Sequence, residues 1–144
     1  AMEGTLVLSG AIESFKYSSF QYGSEVLHRI KVVGPISLKE RIPLYNLTLT
    51  VNTSSTYFCI LDNTGGYENV LTFDDIKYLD KLIIESGISA FYGATVTKDE
   101  GYSSLVNLAN ANVHSLNLDG ELVATDTVSK AEEFIFAKIK QLTN

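Results

Sequence analysis

The segment Tyr57-Phe58-Cys59-Ile60-Leu61 is an unbroken apolar run, and a polar, glycine-rich stretch at 62–66 follows it. A short apolar run that ends in a loop is typical of a central strand covered on both faces. We therefore expect residues 57–61 to form a buried strand in the middle of an α/β sheet.

Helix-like and strand-like segments alternate after this strand. Thr72 can cap a helix whose apolar residues recur at helical spacing up to Ile83, and Gly87 ends that helix. The segments that follow are a strand over 88–97, a helix over 99–113, a strand over 116–125 and a final helix capped by Asp126 or Thr127. This alternation predicts a sheet with helices packed on it.

The region before the central strand is predicted to be mainly β. Residues 5–16 read as one strand, residues 18–24 as a polar connection, and residues 26–33 as a second strand that ends at Gly34-Pro35. We expect the two strands to pair as a hairpin or to lie close together in one sheet.

The segment 37–55 carries conflicting signals. Ser37 and Glu40 match a capping box at the start of a helix, but Pro43 falls inside that helix. Residues 47–51 alternate like a strand and are rich in β-branched side chains. Propensity alone therefore predicts a strand for this half of the segment.

Composition narrows the classes of function. With 144 residues, of which 45% are hydrophobic and 19% charged, the chain 1–144 is expected to fold as a single domain. A net charge of -6 with scattered basic residues disfavours nucleic acid and anionic membranes as partners.

No apolar run in the sequence approaches the roughly 20 residues of a membrane-spanning helix. No signal peptide is visible and Cys59 is the sole cysteine, so we expect a cytoplasmic protein without an internal disulfide.

Residues that could support catalysis are few. The chain has two histidines, His28 and His114, and neither is near Cys59 in the sequence. We interpret Cys59 as a buried apolar side chain and both histidines as structural, because catalysis needs a base beside the nucleophile. An enzyme would require one of the histidines to share a cleft with Cys59 or with the loop at 62–66.

Metal and cofactor motifs are not found in the sequence. Gly65-Gly66 lacks the lysine and hydroxyl residue of a phosphate-binding loop. The acidic residues near this loop do not have the spacing of a calcium-binding loop; they are Asp62, Glu68, Asp74 and Asp75. We therefore expect no catalytic residue, no metal site and no cofactor.

A set of segments has the order and character of a known domain. These segments are Gly34-Pro35-Ile36-Ser37 before a helix, the strand at 58–62, the helix capped by Thr72, the strand start at 87–90 and the final phrase at 129–135. Over about residues 28–142 the chain resembles the STAS domain of sulfate transporters and anti-sigma factor antagonists, most of all its SpoIIAA-like branch of small bacterial proteins. The resemblance implies an α/β fold with a mixed β-sheet and helices packed on it. It places a SpoIIAA-like core over 28–142, an N-terminal extension of a strand or hairpin over 2–27, and a helix over 38–52.

The resemblance also implies a role. In regulatory members of the family, a loop after the central strand carries Asp-Ser-Ser-Gly, whose serine is phosphorylated at the start of the next helix. Here the loop begins Asp62-Asn63-Thr64 and lacks that motif, and Thr72 is the nearest equivalent hydroxyl, with a helix cap as its plainer role. The expectation is a non-catalytic regulatory protein that binds a partner protein or a second copy of itself through an exposed sheet edge and the surface around Asp62, Asn63, Thr64 and Thr72.

A different class of function stays open beside this one. The chain could be a carrier that binds a small apolar ligand, such as a lipid, between its helices and sheet, as the same branch of the family is suspected to do. Copurified lipid would distinguish the carrier from a pure interaction module.

An uncovered edge strand near the N-terminus would favour a symmetric dimer. Aromatic residues in predicted loops or at strand ends could anchor a partner; they are Tyr17, Phe20, Tyr22, Tyr67 and Tyr102.

Overall fold

The computed structural model describes residues 3–143, apart from the side chain of Ser115, and it contains one six-stranded sheet and four helices. In chain order the elements are β1 (Thr5–Ile12), β2 (Phe15–Tyr22), β3 (Glu25–Val32), α1 (Leu38–Leu49), β4 (Thr56–Asp62), α2 (Phe73–Glu85), β5 (Ala90–Val96), α3 (Glu100–Ser115), β6 (Asp119–Thr125) and α4 (Val128–Thr143). Residues 1, 2 and 144, at the ends of the predicted domain and of its N-terminal extension, lie outside the described part.

The strands follow one another across the sheet in the same order as along the chain. β1, β2 and β3 pair antiparallel, and β3, β4, β5 and β6 pair parallel. One face of the sheet packs against α1, α2 and α3, and the opposite face packs against α4. This architecture confirms the prediction of an α/β protein with a mixed sheet and helices packed on it.

The central strand β4 contributes to both layers of the core. Tyr57, Cys59 and Leu61 belong to the core beneath α1, α2 and α3, whereas Phe58 and Ile60 belong to the core beneath α4. Successive side chains of a strand point to opposite faces, so a strand covered on both sides is apolar throughout. The prediction of a buried central strand at 57–61 is confirmed.

The N-terminal region differs from its prediction. β1 and β2 are two strands of a hairpin that turns at Glu13 and Ser14, so the prediction of one strand over 5–16 is wrong. β2 also occupies most of the segment 18–24, which is therefore not the polar connection that its composition suggests. Glu13 adopts a φ of 48°, which is uncommon for a residue other than glycine, asparagine or aspartate. The turn therefore lacks the residues by which hairpin turns are usually recognised.

Residues 38–49 form the helix α1, as the family resemblance implies and against the strand propensity of residues 47–51. Leu44, Tyr45 and Thr48 are buried on its inner face. The Thr48 hydroxyl donates to the carbonyl oxygen of Leu44 at 3.1 Å and accepts a hydrogen bond from the Tyr57 hydroxyl at 2.8 Å. Packing against the sheet thus outweighs the local preference of the β-branched residues.

The predicted helix starts are correct, but the predicted caps are only partly so. Ser37 precedes α1 without a side-chain hydrogen bond to the helix backbone, so the capping box predicted there is absent. Thr72 caps α2, where its side chain accepts from the N–H of Asp75 at 3.1 Å and Asp75 bonds back to the Thr72 N–H. Thr127 caps α4 by accepting from the N–H of Lys130 at 3.2 Å.

Gly120 lies in β6 at a position where the backbone of β5 leaves no room for a side chain. It pairs with Phe91 of β5, and its φ of 112° lies in a region that L side chains rarely adopt. A Cβ atom at this position would collide with the carbonyl oxygen of Phe91. A residue without a side chain is therefore needed for these strands to pair in this register.

Candidate functional site

A cavity of about 90 Å³ lies between the sheet and the helices α1, α2 and α3, and it is partly open to solvent. Its walls are mainly apolar side chains of α2 and α3, and its floor comes from β4, β5 and β6; they include Ile76, Leu79, Phe91, Leu105, Val106 and Leu122. Concave apolar spaces with a few polar groups are the usual form of small-molecule sites. The cavity is therefore the first place to look for a function.

Arg41 of α1 brings a positive charge to this cavity. It is half-buried, and its Nε atom has neither solvent contact nor a hydrogen-bond partner. The guanidinium carbon lies 5.2 Å from the ring centre of Tyr45 and 5.9 Å from that of Phe15. Within residues 3–143, neither of the two ion pairs involves Arg41. The guanidinium is held against aromatic rings without an anionic partner.

Three tyrosines near the cavity stay protonated at neutral pH. Burial raises the pKa of Tyr45 to about 12 and raises the pKa of Tyr57 and Tyr102 as well. Tyr45 and Tyr102 line the cavity, and a side-chain hydrogen bond with Asn69 acts against burial by lowering the pKa of Tyr102.

Asp80 of α2 is the acidic group of the cavity lining. Its carboxylate accepts a 2.5 Å hydrogen bond from the side-chain amide of Asn112 in α3, and the residue is only 7% exposed. Burial raises the pKa of Asp80 to about 6, although the Asn112 hydrogen bond and the charge of Arg41 act in the opposite direction. An ionised Asp80 is therefore a net cost to the folded protein at pH 7 and above.

Replacing Asp80 with asparagine is expected to stabilise the protein at pH 8 by about 2 kcal/mol, because the folded pKa of about 6 exceeds the ordinary value of 3.8. The stability that comes from a neutral carboxyl group is complete below pH 3.8 and is lost as the pH rises through 6. The asparagine carbonyl can still accept from Asn112. Urea unfolding at pH 4 and pH 8 measures the effect, and an equal gain at both pH values would contradict this origin.

His28 of β3 and Cys59 of β4 are far apart in the sequence, but they lie side by side in the structure because they are register partners on adjacent strands. They also share a sheet face, since His28 stacks on Tyr57, two residues before Cys59, with ring centres 4.5 Å apart. Burial raises the pKa of the Cys59 thiol to about 12 and lowers the pKa of His28 to about 4. A protonated thiol beside a weakly basic imidazole is a poor pair for nucleophilic chemistry.

Both ring nitrogens of His28 are engaged in a buried network. Nε2 lies 2.9 Å from Oδ1 of Asn52, which accepts only, so Nε2 carries the proton. Nδ1 then accepts from the Ser19 hydroxyl at 2.7 Å. Asn52 donates in turn to the carbonyl oxygens of Ser54 and Thr56. Ser19 and His28 are both 0% exposed, so this arrangement joins β2, β3 and the chain after α1 and is closed to substrates.

The predicted regulatory residues lie at the end of β4 and the start of α2, and none of them lines the cavity. Asp62 accepts from the N–H of Thr64 at 3.0 Å. Asn63 is buried and forms hydrogen bonds with the backbone N–H and C=O of Tyr67 at 3.1 and 3.0 Å. Thr64 and Thr72 are exposed. Asn63 thus shapes the loop, while a regulatory role for this surface stays a prediction.

The aromatic residues proposed as anchors are mostly not in loops. Tyr17, Phe20 and Tyr22 belong to β2, and Tyr102 is buried in α3. Tyr67 is the exposed member of the five, at 40%. Two further exposed apolar residues follow it, Val70 in the same connection between β4 and α2 and Phe73 as the first residue of α2.

Sequence reasoning missed Arg41 and Asp80. Arg41 precedes Leu44, Tyr45 and Thr48 by three, four and seven positions, so it lies on the buried stripe of α1. Asp80 directly follows Leu79 and precedes Ile83 by three positions on the buried side of α2. Helical spacing could have identified both as charged residues on apolar faces.

Metal binding finds no support in the described geometry. Across residues 3–143, no group of three His, Cys, Asp or Glu side chains is arranged to hold a metal ion.

Among the described residues, no helix is both long and apolar enough to cross a membrane.

The fold has a solved counterpart. The structure is similar to the crystal structure of an uncharacterized protein of the DUF3478 family from Shewanella loihica PV-4, which is described as having a SpoIIAA-like fold. The two chains are 15% identical, the TM-score is 0.53, and the match covers 90% of this chain and 99% of that chain. The protein therefore has a SpoIIAA-like fold, which confirms the fold implied by the resemblance. No family model and no curated protein matches the chain.

Proposed function

We propose that the protein is a non-catalytic binding domain that holds a small apolar ligand between its sheet and helices. The observation that carries this proposal is the apolar cavity of about 90 Å³ beneath α1, α2 and α3. Protein interiors are normally packed without voids, so an apolar space bordered by core residues of α2, α3 and the sheet can receive a ligand. It is smaller than an engineered cavity of about 150 Å³ that binds benzene. Its volume suits a short chain or the end of a longer one.

The protonation states of the buried groups support a role without catalysis. The thiol of Cys59 and the imidazole of His28 are each buried in their uncharged forms, and His28 is committed to Ser19 and Asn52. Binding requires only shape and a few oriented polar groups, which the cavity has. The proposal includes the cytoplasmic location expected from the sequence.

Replacing Ala109 with leucine is expected to weaken ligand binding at least tenfold, because an isobutyl group would extend from α3 into the cavity that Ala109 lines. The measurement is a titration with 1-hexanol and with hexanoate, followed by the amide NMR shifts of residues around the cavity. Ala111→Leu is the matched control, since Ala111 is exposed on the same helix. Unchanged binding by Ala109→Leu, or no shifts in the unaltered protein with either compound, would contradict the proposal.

A second candidate is the regulatory, protein-binding role. It is favoured by three exposed apolar residues, Tyr67 and Val70 between β4 and α2 and Phe73 at the start of α2, which are 40%, 51% and 46% exposed. The edge strand β1 also exposes Leu6 and Val7. Unpaired strand edges and clustered apolar side chains are features through which proteins bind a partner or a second copy. A bound protein in the native mass spectrum would support this role, and a copurified small molecule would support the cavity.

Substitutions at Thr72 distinguish a structural role as the cap of α2 from a role as a phosphorylation switch. Thr72→Ala is expected to lower the free energy of unfolding by about 1 kcal/mol through loss of the cap on α2, with Thr72→Ser close to the unaltered protein. Urea unfolding measures this cost. A phosphorylation switch predicts in addition that Thr72→Asp and Thr72→Ala differ in binding to a captured partner. Equal binding by the two variants would remove the switch and leave the cap.

A further inference from the structure

We propose that the ligand of this cavity is a small monocarboxylic acid, with an apolar body among α2, α3 and the sheet and its carboxylate paired with Arg41. This inference rests on the proposed ligand-binding function and names the chemical class of the ligand. It follows from the state of the Arg41 guanidinium, from the donors around it and from the charge balance of the cavity.

The guanidinium of Arg41 has donors to spare. An arginine stays charged in proteins and presents five N–H donors, and a charge removed from water is costly unless it is paired. Its guanidinium carbon lies over the rings of Phe15 and Tyr45, and an aromatic ring face supplies no oxygen acceptor for the N–H groups. Arg41 belongs to neither ion pair in the described chain, and its Nε is enclosed by protein atoms without a hydrogen-bond partner, out of reach of a ligand. The terminal N–H groups of the guanidinium are therefore the donors to which a ligand could supply an acceptor.

The neighbouring polar groups suit the same acceptor. Tyr45 and Tyr102 line the cavity together with Arg41, and a protonated tyrosine hydroxyl is a hydrogen-bond donor. A planar guanidinium matches the two oxygens of a carboxylate, and hydroxyl donors can satisfy the remaining lone pairs. The apolar side chains on the other walls fit a hydrocarbon body.

The charge of the cavity lining limits the ligand to a single negative charge. Arg41 is the only cation in the described lining of the cavity, and Asp80 brings a carboxylate that is held by Asn112 rather than by Arg41. An ionised Asp80 already offsets the guanidinium charge, so a monocarboxylate balances Arg41 when Asp80 is protonated. A dianion such as a phosphate monoester would leave excess negative charge in either state of Asp80, which costs free energy in an apolar space.

The experiment compares hexanoate with hexanamide, which have the same chain length and differ in charge. Titration at pH 7 of the full chain, followed by amide NMR shifts around the cavity, is expected to show hexanoate binding at least tenfold more tightly. Equal affinities would overturn the carboxylate inference and leave the apolar ligand site intact. No binding by hexanoate, hexanamide or 1-hexanol would overturn both the inference and the proposed function.

Substitutions test whether Arg41 causes the preference for hexanoate over hexanamide. Arg41→Gln is expected to weaken hexanoate binding at least tenfold and to leave hexanamide binding within about twofold, and Asp80→Asn to strengthen hexanoate binding because it removes a nearby negative charge. Lys81→Gln, on the exposed side of α2, removes one positive charge away from the cavity and should change neither affinity. Equal losses of hexanoate affinity in Arg41→Gln and Lys81→Gln would overturn the assignment to Arg41. The comparison of hexanoate with hexanamide uses the unaltered protein, so it tests the inference even if a variant fails to fold.

Discussion

Gly120→Ala is expected to lower the free energy of unfolding by about 4 kcal/mol. Two costs combine in this value. A φ of 112° costs an alanine roughly 1 to 3 kcal/mol in backbone strain. The added methyl group would also meet the backbone of Phe91 across the β5–β6 ladder, and overpacking of this kind costs about 1 to 3 kcal/mol. Urea unfolding followed by circular dichroism measures the change.

Gly66→Ala is the matched control for this prediction. Gly66 also has a positive φ, 72°, but an added Cβ would have no neighbour within 4 Å. The control therefore carries the backbone strain without the collision and should cost about 1 kcal/mol. Similar costs for the two variants would show that the contact with Phe91 contributes little and that β5 and β6 can separate.

The second large effect is a loss of stability in acid that comes from His28. Burial lowers the pKa of His28 from its ordinary 6.5 to about 4, so the folded protein favours the neutral imidazole. The stability contributed by the neutral form is complete above pH 6.5 and is lost as the pH falls towards 4. The difference between the two pKa values corresponds to about 3 kcal/mol below pH 4. The groups that face the ring are neutral; they are Ser19, Asn52 and Tyr57.

Urea unfolding at intervals from pH 7 to pH 3.5 measures this loss, with His28→Gln as the comparison. The glutamine variant will be less stable at pH 7, but it has no imidazole to titrate, so its stability should fall by about 3 kcal/mol less on acidification. Parallel pH curves for the unaltered protein and His28→Gln would contradict the assignment.

Long elements with a clear pattern could be predicted from the sequence. β4 is apolar at every position from Tyr57 to Leu61, and α2 combines the cap at Thr72 with apolar spacing along its length. In both cases the local signal and the tertiary environment agree, so the structure confirms the prediction. In α1 they disagree, and burial of Leu44 and Tyr45 together with the Thr48 hydrogen bonds decides for helix.

The first hairpin could not be predicted because its determinants are not local. The turn at Glu13 and Ser14 has no glycine, proline or asparagine, and β2 contains polar residues that suggest a loop. One of them, Ser19, is completely buried because it bonds to His28 on the next strand. Its suitability for a strand depends on a partner nine residues away.

The candidate site shows the same limit. The expected surface around Asp62 and Thr72 follows from a motif position, whereas the cavity depends on how three helices meet the sheet. In the sequence, Arg41 and Asp80 look like ordinary polar residues of amphipathic helices. Only their spacing from the apolar residues places them on the buried sides of α1 and α2. Which charged groups share a cavity is a property of helix packing that a one-dimensional pattern does not contain.

The sequential order of the strands also has a consequence for how the chain folds. Each strand pairs only with a strand next to it in the chain, so the sheet can grow in one direction during synthesis, from β1 towards β6. The antiparallel pairs of β1, β2 and β3 close short loops, whereas the parallel pairs need long crossovers: Leu27 of β3 and Phe58 of β4, which pair, are 31 positions apart. α4 follows all six strands and returns to β4, β5 and Arg29 of β3, where Glu132 forms an ion pair at 2.6 Å. Until α4 docks, the apolar side chains of β4 on this face of the sheet stay uncovered.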